Sequence, residues 1–317
     1  MKIVILDAAT LGGDIEFGMF DGLGDVTVYG KTASDEVGER IADCDIAILN
    51  KVKLGAGNLS AAGRLKLICV TATGYDNIDL DYCRAHGIGV CNVKGYSTDS
   101  VAQLTAAMVL SLVTHLREYD DYCKDGSYTA SGIHNRLVPV FHELAGMTWG
   151  IVGLGAIGKK VAEIARAFGC RVLAYKRTAD NAYDCVTLGE LCKSSDIISV
   201  HLPLTEETRG IISREIIAVM KSSAIVINAA RGAVVDEAAL AEAMLCGRLG
   251  GLGTDVFSIE PMASDSPYRA LSGDPKVIMT PHMAWGAYEA RVRCMDEIAL
   301  NIEAYMRGEL RSRVDIV

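Results

Sequence analysis

Gly153, Gly155 and Gly158 form a G-x-G-x-x-G run that follows an apolar stretch and opens a helical pattern reaching residue 168. In that setting the first glycine permits a tight turn and the second lets backbone approach a pyrophosphate. The third allows close contact between helix and strand, and the helix N-terminus faces the phosphates. The pattern predicts a dinucleotide site; the plainer alternative is three turn glycines of an α/β protein. The next β-branched run ends in Lys176-Arg177-Thr178, where an acidic residue would usually grip the adenosine ribose hydroxyls. Two cations and a hydroxyl suit a 2′-phosphate, so NADP(H) is favoured. NAD(H) stays possible, because a solvated basic turn has the same composition.

Four later segments carry polar residues where plain core strands would end: His201-Leu-Pro203-Leu-Thr205, Asn228-Ala229-Ala-Arg231-Gly, Asp255-Val-Phe-Ser-Ile-Glu260-Pro and Pro281-His282-Met-Ala-Trp285. Taken singly, Arg231 could start a surface helix, His282 could be a packing histidine and Glu260 a solvated loop carboxylate. Placed together after a cofactor motif, they form a set that can reduce a carbonyl. In order and spacing the segments resemble the signature of the D-isomer-specific 2-hydroxyacid dehydrogenases. The resemblance covers nearly the whole chain, including residues 73–79 and 95–103. Residues 95–103 and 282–292 are most similar to the glycerate dehydrogenase and hydroxypyruvate reductase branch.

The implied activity is hydride transfer between NAD(P)H and a small 2-keto or D-2-hydroxy acid. Such a reduction needs a cation for the carboxylate and carbonyl, a proton donor at the oxygen, and a hydride at the carbon. The planar fork of Arg231 fits the first role and the imidazole of His282 the second. Glu260 would orient His282 through an ionic hydrogen bond. His201 ends a strand beside the cofactor motif and lines that site. The resemblance further implies cofactor contacts from Ala156 and Ile157 in the glycine turn, from Pro203 and Thr205, from Ala229, and from His282 itself. By the same resemblance Asp255 partners the nicotinamide amide, backbone N–H groups of Thr73 and Gly74 cradle the substrate carboxylate, and Lys51 and Trp285 line the substrate pocket. A homodimer through the cofactor domains and their 120–145 excursion is implied as well. Other readings share parts of this pattern. Formate dehydrogenase would place a glutamine where Glu260 stands; phosphoglycerate dehydrogenase and a dinucleotide-sensing, corepressor-like binding protein remain alternatives.

These residues require a scaffold that brings strand ends together. Apolar, β-branched runs at 2–7, 25–29, 46–50, 65–71 and 89–93 alternate with helical stretches such as 34–43 and 80–86, which gives one wound α/β unit. A long helix is expected over 99–119, then an irregular polar stretch over 124–142. A second wound unit follows, with strands at 148–153, 171–175, 196–202, 224–229, 252–256 and 277–280. The helical segment 285–307 has no strand after it and is expected to return to the first unit. The resulting fold class is α/β, with two Rossmann-like parallel-sheet domains. Residues 1–98 and 284–317 make a discontinuous, flavodoxin-like substrate domain, and 99–283 the dinucleotide-binding domain.

Composition agrees with this architecture. Half of the 317 residues are hydrophobic, aromatics make up only 6 % and glycines number 32, a balance that suits helix-covered parallel sheets with tight turns. The net charge of −9 argues against a basic surface for nucleic acid or anionic lipid. No uninterrupted apolar run has the length of a membrane span, and residues 1–7 read directly as a strand rather than a signal peptide, so a cytoplasmic location is expected. Ten cysteines are scattered without a C-x-x-C pair or a histidine at ligand spacing, the pattern of buried reduced thiols with no metal site.

Overall fold

Strands Lys2–Ile5, Asp25–Val28, Ile46–Leu49, Leu67–Val70 and Gly89–Cys91 (β1 to β5) pair in parallel in the order β2-β1-β3-β4-β5. That is the flavodoxin-like order. β3 and β4 are buried along their whole length, as expected for central strands covered on both faces, whereas β2 is a largely exposed edge. In this computed structural model, which describes residues 1–178 and 180–316, these strands belong to a unit formed by Met1–Ser97 and Gly286–Val317. Helix Tyr288–Met306 supplies the second part of that unit and packs against β4; its buried residues include Cys294, Met295, Ile298 and Ile302.

The other unit, Thr98–Trp285, contains Thr148–Val152, Arg171–Tyr175, Asp184–Cys185, Ile197–Val200, Ile225–Asn228, Gly251–Thr254 and Val277–Met279 (β6 to β12). They are all parallel, in the order β12-β11-β10-β9-β6-β7-β8. The chain starts at β6 and winds outward in both directions, so the order reverses between β6 and β9. In doubly wound sheets ligands bind at this switch point, outside the carboxyl ends of the strands.

Three features depart from the sequence expectations. β8 is a two-residue strand whose composition carries no strand signal; pairing with β7 alone makes it one. The helix expected over 99–119 is two helices, Thr98–Val113 and Leu116–Lys124, bent by 64°. The Thr114 hydroxyl donates back to the Leu110 carbonyl at 2.6 Å, and His115 is left-handed at φ 51° with Nδ1 2.9 Å from Glu118 Oε1, which ends one helix and starts the next. The helix expected from 285 begins at Tyr288, because Trp285 belongs to the turn described below. All ten cysteines are free; Cys123 and Cys246 are exposed and Cys185 is half-buried. Burial pushes the Cys83 and Cys91 thiols up to about 11, so both are neutral. Among the described residues no single helix is long and apolar enough to cross a membrane.

Candidate active site

At the carboxyl end of β6, Gly153 has φ 102°, and a side chain there would meet the His201 carbonyl oxygen at 2.7 Å. A Cβ on Gly158 would lie 2.1 Å from the Gly153 carbonyl oxygen, so only glycine lets helix Ala156–Ala167 start this close to the strand. Gly155 is the N-cap residue of this twelve-residue helix and has open space where its Cβ would stand. Ala156 and Ile157 form its first turn, whose amides are free to face a pyrophosphate. His201, after β9, has Nε2 3.0 Å from the buried Ser199 hydroxyl, which in turn accepts from Trp149 Nε1 at 2.9 Å. Nδ1, the other ring nitrogen, is buried. That buried atom has no hydrogen-bond partner among the described residues. Although the residue keeps an exposed edge, burial of the ring nitrogens lowers the His201 pKa to about 4 and keeps the ring neutral. An open helix N-terminus and an orphaned ring nitrogen after the neighbouring strand fit a nicotinamide dinucleotide. Pro203 and Thr205 are exposed in the turn that follows, which the Thr208 hydroxyl closes by donating to the Pro203 carbonyl at 2.6 Å.

Lys176 and Arg177 follow β7. Lys176 Nζ is 3.7 Å from Asp180, which Lys159 also approaches at 2.8 Å, and Arg177 is 3.0 Å from Glu207 with both groups largely exposed. Thr178 is exposed beside them.

The catalytic candidates come from the ends of the neighbouring strands β10, β11 and β12. After β10, the fully buried Asn228 staples the turn: its amide donates to the Arg231 carbonyl at 3.0 Å and its oxygen accepts from Ala230 N at 3.1 Å. Ala229 and Arg231 are half-buried in this turn, and Arg231 Nη1 donates to the Ala230 carbonyl at 2.8 Å. After β12, His282 takes up a left-handed backbone at φ 52°, rare for a side chain of this size. Asp255, at the end of β11 and fully buried, holds it there. Asp255 Oδ1 accepts from the Thr280 hydroxyl at 2.6 Å and from Met283 N at 2.8 Å, and Oδ2 accepts from Ala284 N at 2.8 Å. Trp285 Nε1 completes the turn by donating to the His282 carbonyl at 2.9 Å. The resulting pose places His282 Nδ1 2.6 Å from Glu260 Oε2. Glu260 Oε1 meanwhile accepts from Phe257 N at 3.1 Å.

Two of these residues also have a structural role. Asp255, expected at the nicotinamide amide, is first the anchor of the His282 turn; three of its four lone-pair positions are used, and one on Oδ2 remains. Trp285, expected as pocket lining, likewise holds that turn through its indole N–H.

In the first unit Thr73 and Gly74 follow β4. Asn92, buried after β5, donates to the Thr73 carbonyl at 2.7 Å, and the Thr73 hydroxyl donates to the Val93 carbonyl at 2.8 Å. Lys51 lies in the turn after β3. The buried Asp7 carboxylate holds this turn by accepting from the backbone amides of Asn50, Lys51 and Val52 at 2.9, 2.6 and 3.2 Å, and Asn77 donates to the Val52 carbonyl at 2.7 Å. Asp7 and Asn92 are absent from the sequence-based candidates; the available signal is a polar residue ending an otherwise apolar strand.

Comparison with known proteins gives the same picture. Residues 106–284 match the model of the NAD binding domain of the D-isomer specific 2-hydroxyacid dehydrogenases. A hydroxypyruvate reductase from Blautia hydrogenotrophica is 35 % identical over 97 % of this chain and 98 % of its own. A glycerate dehydrogenase from Methylorubrum extorquens is also 35 % identical, over 99 % of both chains. The D-lactate dehydrogenase from Aquifex aeolicus, solved with NAD and lactic acid, superposes with a TM-score of 0.87 at 32 % identity over 99 % of each chain. A glycine turn that fits a dinucleotide, a paired imidazole and carboxylate, and these likenesses along the whole chain agree: the protein belongs to the D-isomer specific 2-hydroxyacid dehydrogenases and sits with their glycerate dehydrogenase and hydroxypyruvate reductase members.

Proposed function

We propose that this enzyme reduces small 2-keto acids, hydroxypyruvate or glyoxylate in type, to D-2-hydroxy acids, with NADPH preferred over NADH. The observation that carries the reading is the His282–Glu260 contact of 2.6 Å. With Nδ1 donating to the carboxylate, Nε2 is left as the nitrogen that exchanges a proton with substrate. The dinucleotide, when bound, supplies the hydride. Arg231 binds the substrate carboxylate and polarises the keto group. As the carbonyl carbon gains the hydride, its oxygen takes the proton from His282 Nε2, and the imidazole returns to the neutral form with Nδ1–H still held by Glu260. In oxidation the same nitrogen accepts the hydroxyl proton. A proton-exchanging pair of this kind serves turnover rather than sensing.

Cofactor preference is assigned to Lys176, Arg177 and Thr178, which would exchange their contacts with Asp180 and Glu207 for a 2′-phosphate. The enzyme is proposed to act as a homodimer: Ile133, Leu137, Val138, Val140 and Phe141 are each at least half exposed on one excursion, an apolar strip that a second copy would cover. Ten free thiols suit the reducing cytoplasm. A steady-state screen of hydroxypyruvate, glyoxylate, pyruvate and phenylpyruvate with both reduced cofactors tests the reading. It expects the highest kcat/KM for one of the first two acids with NADPH, and no turnover of any of the four would overturn it.

A further inference from the structure

We propose that Glu237 is a positioning residue for the reaction, holding the Glu260 loop in register with His282 through the backbone amide of Ser258. The inference rests on the assignment of His282 and Glu260 as the proton-exchanging pair.

Phe257 packs on the core and edge-on to Tyr268, but the residues that follow it have little packing of their own. Ser258, Ile259 and Glu260 are all exposed, and Ile259 is 66 % accessible. Besides the internal bond from Phe257 N to Glu260 and the contact of Glu260 with His282, the loop is anchored at Ser258 N, which donates to Glu237 Oε1 at 2.6 Å. Glu237 is the first residue of helix Glu237–Leu245. Asp236 fixes that helix start as its N-cap by accepting from Ala239 N at 2.9 Å, so the carboxylate projects from a rigid base. The other side of the same peptide is also closed. A Cβ on Gly232 would stand 2.0 Å from the Phe257 carbonyl carbon and 2.3 Å from Ser258 N, so the turn that begins at Arg231 lies directly on the Phe257–Ser258 peptide. That peptide is clamped between the Arg231 turn and Glu237, and Glu260 leaves it two residues later.

The Glu237 carboxyl is held in this position at a cost. Burial raises its pKa, and the nearby Glu260 carboxylate adds to the rise, while the bond from Ser258 works in the opposite sense. Asp236 and the buried Tyr268 phenol also lie beside it, Glu260 is itself paired with His282, and Arg231 heads the turn on the other face of the Phe257–Ser258 peptide. A helix-surface glutamate with no task would turn toward water, and this one is spent on the amide and the side chain of Ser258.

The test compares Glu237→Ala, Glu237→Asp and Glu237→Gln with wild type and Glu260→Gln, all as NADPH-loaded enzymes. For the alanine variant kcat should fall at least about tenfold, the scale of a displaced catalytic group, with KM for the keto acid within about twofold. The basic limb of its pH profile should move to lower pH, the direction expected of Glu260→Gln. Glutamine still accepts from Ser258 and should restore most of kcat, which a purely electrostatic role would not allow. Aspartate, one methylene shorter, should fall between, and it carries the test if the alanine variant does not fold. An NMR titration of the His282 ring gives a readout independent of turnover. Its midpoint should drop in the alanine and aspartate variants even if none of the keto acids is a substrate, so a failure of the functional reading is distinguishable from a failure of this one. Profiles and midpoints that superimpose on wild type, or a glutamine variant as impaired as alanine, would overturn the proposal.

Discussion

Asp255→Asn changes one acceptor oxygen into a donor with almost no change in shape, at the residue that holds His282 in its left-handed pose. Asp255 accepts three hydrogen bonds, two on Oδ1 and one on Oδ2. The asparagine can keep its oxygen toward the Thr280 hydroxyl and Met283 N, which leaves its NH2 facing the amide of Ala284. The opposite orientation sacrifices two bonds, so the first is preferred. One charge-assisted bond is then lost and a buried N–H is left without an acceptor, a destabilisation of about 2–3 kcal/mol. Against a total stability of roughly 5–15 kcal/mol this is a large fraction. Both tryptophans, Trp149 and Trp285, belong to this unit, so fluorescence-detected urea unfolding reports on it directly. The midpoint should fall accordingly. Because Ala284 follows the catalytic turn, kcat should also fall, by about tenfold or more, while KM for the cofactor changes less. A variant that unfolds at the wild-type urea concentration and turns over at the wild-type rate would refute the claim that Asp255 holds this turn.

Other consequences are as direct. Glu260→Gln removes the charge opposite His282 Nδ1 but keeps most of the shape, so the basic limb of the reductive pH profile should shift downward while oxidation gains at lower pH; superimposable profiles count against the pairing. Arg231→Ala should lower kcat/KM at every pH, because it removes a fixed charge rather than a titrating group. His201, with its pKa lowered to about 4, refuses a proton that the unfolded chain accepts near pH 6.5, so it makes stability fall as the pH drops through that window. The loss from pH 7.5 to 5 is about 2 kcal/mol, and His201→Gln should show a correspondingly shallower decline in urea unfolding. Lys176→Asp combined with replacement of Arg177 should cost NADPH roughly ten- to a hundredfold in kcat/KM and improve NADH use; unchanged selectivity would mark the basic turn as solvated surface.

Much of this architecture is visible in residue order. Parallel strands buried on both faces leave continuous apolar runs, which is why β3, β4, β9 and β10 stand out, and the glycine turn announces itself because no other residue fits at Gly153 or Gly158. Arg231, Glu260 and His282 were legible because each interrupts the end of such a run with a residue that chemistry needs. The groups that hold them were not. Asn228 and Asp255 appear within the right segments, yet their acceptor and donor bonds depend on backbone atoms brought near by the fold. Asp7 reaches the loop at 50–52 only because β1 and β3 are neighbours, a pairing that sequence adjacency conceals. The break at His115 escaped for a local reason: an apolar helical period continues across it, and only the Thr114 hydroxyl and the left-handed His115 backbone stop the helix.

The central claim is that a hydride passes from reduced nicotinamide to C2 of a 2-keto acid and gives the D-hydroxy acid. NADPH carrying deuterium at the transferable C4 position, incubated with hydroxypyruvate and the enzyme, tests it in one step by mass spectrometry and chiral chromatography of the product. The account predicts D-glycerate with one deuterium, at C2, and its loss to background in Arg231→Ala. Glycerate of the L configuration, or D-glycerate without the label, would contradict it.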